Sequence, residues 1–286
     1  MTMPELQGCL DRAAQRHETA CGGGHMVWRE WGAGPTVLLL HGSFGAWTHW
    51  LRNIEALSMH FRVLACDLPG MGESDLPPMP FDAGSLADIL TEGLEELAPE
   101  PFHLVGFSFG GIVGGHVAVR TMPRVMSYTA IGSNALGLPM AARAPLRKPN
   151  RNMSEAEILD LHRHNLGLQM FGDPARIDAT ALAVQNANTR RARIRSGKIP
   201  AGDSLARRLR EMSAAGLPLQ GIWGERDATA GDLLDTRRDL FQTVQPGCPF
   251  HVVPGAGHWA AFEAPDEVNR ILIDSLPAME TPRACH

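Results

Sequence analysis

An apolar run that stops at a glycine-flanked serine constrains this chain more than any other feature. Phe102-His103-Leu104-Val105 reads as a strand buried on both faces. It ends in Gly106-Phe107-Ser108-Phe109-Gly110-Gly111, a G-x-S-x-G pattern, and a helix-like segment follows from Gly110 to about Thr121. The glycines have a physical task. A sharp strand-to-helix turn forces the serine into strained backbone, and only small neighbours avoid a clash there. The turn lifts the hydroxyl above the sheet edge. The helix N-terminus beneath it offers free N–H groups and a positive dipole end to developing negative charge. The competing reading is an ordinary Gly-rich turn between a core strand and a core helix.

The same alternation recurs along the chain. Apolar runs at Thr36–Leu40, Phe61–Cys66, Val125–Ile131, Leu219–Trp223 and Phe250–Val253 read as buried strands. Segments of helical spacing lie between or after them, at Trp47–Met59, Phe81–Leu97, Asp232–Thr243 and, beyond the loop that ends in His258, to about Leu276. This is the pattern of a mostly parallel sheet covered by helices on both faces, an α/β fold. His25–Trp31 alternates as an exposed strand does, and Pro4–His17 reads as a short polar helix or loose arm, broken by Cys21-Gly22-Gly23-Gly24. From about Asn134 to Ala215 the alternation stops. That stretch is polar and helical, with helices expected at Ser154–Leu166 behind a Ser154/Glu157 capping box, at Asp178–Arg195 and at Asp203–Ala214. The expected organisation is an N-terminal arm (1–24), a sheet core (25–133 and 216–277), an inserted helical cap (134–215) and a disordered tail (278–286).

Composition removes several function classes. A formal net charge of -5 leaves no nucleic-acid footprint. Five scattered cysteines, with no C-x-x-C pair, favour reduced thiols in a cytoplasmic protein over a disulfide framework. Met1-Thr2-Met3-Pro4-Glu5 has neither a basic nor an apolar leader region, and no run reaches membrane-spanning length, so no membrane partner is expected. His162 and His164 face different sides of one helix, without a carboxylate or thiol at ligand spacing, so neither metal nor cofactor is expected.

A serine hydroxyl is a weak nucleophile. It needs a base, and the base needs a third group to fix its tautomer. Asp227 follows the Leu219–Trp223 run and His258 follows the last strand, so Ser108, Asp227 and His258 each leave the carboxyl end of a strand, where parallel-sheet enzymes place their chemistry. Glu225 and Asp232 are the rivals for the acid; Ser133 and Asn134 stand where a carboxylate after Val125–Ile131 could have served. An oxyanion needs two N–H donors. Phe109 supplies one, and the loop His41-Gly42-Ser43-Phe44-Gly45 the other, from Ser43 first and Phe44 second. The His41 ring is expected to bond the backbone of neighbouring loops. Phe44, Trp47, Phe109 and Trp259 either line an apolar acyl pocket or pack the core between cap and sheet.

His41-Gly42, Asp67-Leu68-Pro69-Gly70-Met71-Gly72-Glu73-Ser74, Gly106-Phe107-Ser108-Phe109-Gly110-Gly111, Trp223-Gly224-Glu225-Arg226-Asp227 and Gly257-His258-Trp259 together resemble the alpha/beta-hydrolase superfamily across nearly the whole chain. The resemblance implies the α/β-hydrolase fold, the Ser108–Asp227–His258 triad and a cap that serves as substrate lid. A serine nucleophile sets the chain apart from dehalogenases and epoxide hydrolases of that fold, which use aspartate. Trp50 with Arg52-Asn53, Gly257-His258-Trp259-Ala260 and the cap segment Thr189-Arg190-Arg191-Ala192-Arg193 look like the meta-cleavage product hydrolases, which break a carbon–carbon bond and hold the substrate's carboxylate with a cap arginine. The chain departs from them in its short Gly42-Ser43-Phe44-Gly45 loop and in Phe107 and Phe109, where Asn and Met are common.

The expectation is a serine hydrolase of a small or medium, partly apolar carboxylic ester. Carbon–carbon hydrolysis of ring-fission products is the alternative, and a non-catalytic ligand-binding receptor is the alternative of another class. Phe44, Arg191 and Trp259 are the expected substrate contacts, Arg191 as the arginine nearest the pocket. The expected partner is a small-molecule substrate.

Overall fold

The computed structural model describes residues 3–139, 141, 145–195, 199 and 202–279. An eight-stranded sheet runs in the order β1-β2-β4-β3-β5-β6-β7-β8, with β1 (Gln15–Cys21), β2 (Gly24–Trp31), β3 (Thr36–Leu40), β4 (Arg62–Cys66), β5 (Phe102–Phe107), β6 (Val125–Ile131), β7 (Leu219–Gly224) and β8 (Phe250–Val253). β1 and β2 are antiparallel to their neighbours, and all later pairings are parallel.

The central strands are buried on both faces because their side chains alternate between two apolar cores. Leu38, Leu40 and Leu104 point into one, with the helices α3 (Ala83–Leu97) and α4 (Phe109–Arg120). Val37, Leu39, Val105 and Phe107 point into the other, with α2 (Ile54–Ser58) and the C-terminal α9 (Ala260–Glu263) and α10 (Pro265–Ala278). The chain leaves β3 toward β4 on one side and then returns to place β5 on the other. This reversal makes the carboxyl ends of β3 and β5 a topological switch point, the crevice where such sheets bind ligands. The loop 41–45 and Ser108 open there.

Two expectations at the N-terminus are corrected. Residues 3–24 are more than an arm: α1 (Met3–Ala13) is followed by strand β1, whose register with β2 closes at Cys21 and Gly24 around Gly22 at φ +59. β2 is not exposed either. Met26, Val27, Trp28 and Arg29 are buried, and Trp31 donates its indole N–H to the Leu10 carbonyl at 2.7 Å, which seats α1 on the sheet.

Between β6 and β7 the described residues form no strand. They hold α5 (Glu155–Gln169), α6 (Ala179–Arg191) and α7 (Ser204–Ala214). Ser154 and Glu157 cap α5 reciprocally, and the Asp178 carboxylate caps α6 through the Ala181 N–H at 2.8 Å. α6 stops at Arg191, short of the expected Arg195, because Ala192 turns extended and Arg193 donates its N–H to Gly70 O at 2.8 Å. α7 packs along α4, with Leu205, Leu209 and Met212 in the same core as Leu104. At the C-terminus α10 runs through Pro277 and Ala278, past the start expected for the tail; residues 280–286 lie outside the described residues.

Candidate active site

Ser108 sits between β5 and α4 at φ +52 and ψ -114, a backbone state that L residues avoid. Its N–H is held by Ile131 O at 2.8 Å. The turn closes only because its neighbours are small. A Cβ on Gly106 would lie 2.5 Å from the Gly111 Cα, and one on Gly110 would lie 2.3 Å from Leu40 O.

The three residues expected at strand ends meet. Ser108 Oγ lies 3.0 Å from His258 Nε2, and His258 Nδ1 lies 2.8 Å from Asp227 Oδ2. The Nδ1–H donates to the carboxylate, leaving Nε2 to accept from the serine. Asp227 is buried, and its other oxygen accepts the Thr229 N–H at 2.7 Å. Burial pushes this carboxyl up, but the His258 ring and the Thr229 N–H and hydroxyl outweigh it and hold Asp227 below the usual carboxylate range. The rivals stand elsewhere. Glu225 accepts the Gly255 N–H at 2.8 Å, and Asp232 is exposed in a short turn before α8 (Leu234–Val244).

Phe109 opens α4, so its N–H belongs to the first turn, which has no intrahelical acceptor. Across from it, the Gly45 N–H folds back on Gly42 O at 3.1 Å, which puts Ser43 and Phe44 at the crest of a tight turn, Phe44 at φ +55. A Cβ on Gly42 would lie 3.3 Å from Ser108 Cβ, so this loop touches the serine. His41 fixes the loop from below: Nδ1–H donates to Gly42 O at 2.7 Å and Nε2 accepts the Leu68 N–H at 2.9 Å. Its burial pushes the imidazole down to about 4, and a proton on Nε2 would face another donor.

The expected substrate contacts separate. Phe44 is 38% exposed at the loop crest. Trp259 is fully buried, stacked on Phe262 with ring centroids 4.1 Å apart, and donates its indole N–H to His49 O at 3.2 Å, so its ring packs beneath the site. The Arg191 side chain is 57% exposed and pairs with Glu73 at 3.2 Å. Arg190 pairs with Glu155 at 2.6 Å, and Arg193 binds the Ser74 carbonyl beside Asp75. Three residues of this neighbourhood were not singled out from the sequence. His49 is buried between Trp259 and Phe107 and kept neutral by that burial. Arg237 donates to Thr229 O at 2.9 Å, and Glu263 binds the loop ahead of His258. Only Glu263, five residues after His258, carried a local signal. Among the described residues no group of three His, Cys, Asp or Glu side chains is placed to hold a metal ion, and no helix is long and apolar enough to cross a membrane.

A strand–serine–helix turn at the switch point of such a sheet defines a class of hydrolase, and the comparisons agree. The sequence profile of the Alpha/beta hydrolase family matches residues 37–271, so the chain belongs to that family. It is 28% identical over 260 residues to a 2-hydroxy-6-oxononadienedioate/2-hydroxy-6-oxononatrienedioate hydrolase of Comamonas testosteroni, covering 86% of this chain and 88% of that protein. It is 32% identical over 244 residues to a pimeloyl-[acyl-carrier protein] methyl ester esterase of Chromobacterium violaceum, covering 83% and 85%. A carboxylesterase structure from Bacillus subtilis superposes with a TM-score of 0.71 at 19% identity over 96% of this chain and 98% of that one, a likeness of fold. The protein is thus an alpha/beta hydrolase whose relatives include both esterases and carbon–carbon hydrolases.

Proposed function

We propose that this protein is a serine hydrolase that cleaves a carboxylic ester of a small or medium, partly apolar substrate. The observation that carries the reading is the continuous Ser108–His258–Asp227 hydrogen-bond relay, 3.0 and 2.8 Å, at the switch point of the sheet. Ser108 Oγ attacks the ester carbonyl while His258 Nε2 takes its proton. The Phe109 and Ser43 N–H groups hold the oxyanion. His258 returns the proton to the leaving alkoxide, and the acyl-enzyme forms. Water, deprotonated by the same ring, then releases the acid. Asp227 keeps the proton on Nδ1 and stabilises the imidazolium.

The three arginines of the Thr189–Arg193 segment favour an ester over a ring-fission product. Such a product carries a carboxylate, which a planar guanidinium would bind from inside the site. Arg190, Arg191 and Arg193 are each engaged by Glu155, Glu73, or Asp75 and the Ser74 carbonyl. Carbon–carbon hydrolysis is the second reading, because a relative named for such a reaction aligns over most of both chains. Residues 134–215 are read as the substrate lid; Thr48, on the turn after the oxyanion loop, donates to Asn188 of α6 at 2.9 Å in support. Four described cysteines without a disulfide fit a cytoplasmic protein.

A substrate panel tests the reading. Turnover of p-nitrophenyl acetate and butyrate, with none of a ring-fission dienoate, is expected. Preference for the dienoate would move the assignment to carbon–carbon cleavage, and turnover of neither would leave a binding protein.

A further inference from the structure

Glu263 ends α9, five residues beyond His258, and its side chain has work outside the relay. The residue is 6% exposed. Oε2 accepts the Gly257 N–H at 2.7 Å and the Gly172 N–H at 2.8 Å, and Oε1 accepts the Asp173 N–H at 2.9 Å. A carboxylate is tolerated at such depth only when its lone pairs are taken up. Here the donors come from two segments far apart in sequence. Gly257 precedes His258, and Gly172 and Asp173 form the turn after α5. The two segments also touch without Glu263. The backbone N–H of Trp259 donates to Met170 O at 2.8 Å. A Cβ on Gly257 would lie 2.4 Å from Gly172 N, and one on Gly172 would lie 2.4 Å from Gly255 O. The Phe171 ring stands edge-on to both Trp259 and Phe262.

We propose that Glu263 is a positioning residue that fixes the backbone ahead of His258 and yokes it to the turn after α5. The base and the α5 end of the 134–215 segment take up their places together through one carboxylate. The proposal rests on His258 being the base, which labelling of wild-type Ser108 by a fluorophosphonate checks separately, since that reaction needs the base but no cap contact to an ester.

The decisive variant is Glu263→Gln. Its amide oxygen keeps one acceptor, while its NH2 meets a backbone N–H, so one anchor is lost without a change of volume. A displacement of up to 1 Å at a catalytic group costs up to about 100-fold in rate. The expected result is a fall of about 10- to 100-fold in kcat on p-nitrophenyl acetate with KM within about threefold. Leu272→Ala, which truncates a buried leucine of α10 outside the site, is the stability control: it should lower Tm at least as far and keep kcat within about threefold. A kcat for Glu263→Gln no lower than that of Leu272→Ala overturns the proposal. Should Glu263→Gln not accumulate folded, amide exchange in the unsubstituted protein decides. Gly172, Asp173 and Gly257 should share one protected exchange rate. Fast exchange at Gly172 and Asp173 with Gly257 still protected overturns the proposal as well.

Discussion

Replacing Gly132 by alanine should slow the enzyme through a single methyl group. Gly132 follows β6 at φ +55, and a Cβ built there lies 3.2 Å from Asp227 Oδ2 and 3.2 Å from His258 Nδ1. Two costs follow. The left-handed backbone costs an L residue about 1–2 kcal/mol, or about 2–6 °C in Tm for a chain of this size. The methyl also stands inside ordinary contact distance of the hydrogen bond that orients the base, so those atoms must retreat by a few tenths of an ångström. If 1 Å of misplacement costs about 100-fold, a few tenths cost about three- to tenfold in kcat. Gly216 separates the two costs: it has φ +74 and nothing within 4 Å of its Cβ position. Gly216→Ala should therefore lose the same Tm and keep full activity. Melting curves and kcat on p-nitrophenyl butyrate for both variants are the assay. Equal kcat in Gly132→Ala and Gly216→Ala would refute the reasoning.

Asp227→Asn should lose about 10⁴ in kcat with the fold intact, while Glu225→Gln stays near wild type; the reverse pattern would transfer the acid's role. Arg191→Gln should leave kcat/KM on a neutral ester within a few-fold, because an exposed ion pair contributes little; a large loss confined to a carboxylated substrate would favour carbon–carbon cleavage. His41 gives the fold a pH dependence of known sign. Its imidazole is held down to about 4 by burial, so below an unfolded value of about 6.5 the unfolded chain takes the proton first. Stability present above that value is lost as pH falls toward 4, by up to about 3 kcal/mol. Buried, neutral His49 acts in the same direction. Urea unfolding at pH 7, 5.5 and 4.5 should show a shallower loss in His41→Gln than in wild type, and an unchanged slope would contradict the assignment.

Ser108, Asp227 and His258 were legible because each stands at the end of an apolar strand, where the sheet does the work of convergence. The parallel strands announced themselves by unbroken apolar runs such as Thr36–Leu40. β1 did not: Gln15–Cys21 is a polar edge strand, and only pairing with β2 makes it one. α7 looked like a cap helix by itself, yet its apolar stripe is matched to α4, a partner some ninety residues earlier. The pairing of Arg191 with Glu73 was illegible for a similar reason. Spacing shows that a guanidinium exists, not that Glu73, 118 residues away in sequence, will hold it. Trp259 follows His258 in sequence, but its ring follows the core. Long-range polar partners decide such positions, and no local pattern encodes them.

The most direct test of the account is the site of covalent capture. A fluorophosphonate should label one equivalent of wild-type enzyme, and peptide mass spectrometry should place the adduct on Ser108. Ser108→Ala should take up no label and lose about four to six orders of magnitude in kcat. An adduct on Ser43 or Ser74, or full ester turnover by Ser108→Ala, would contradict the claim that this serine is the nucleophile.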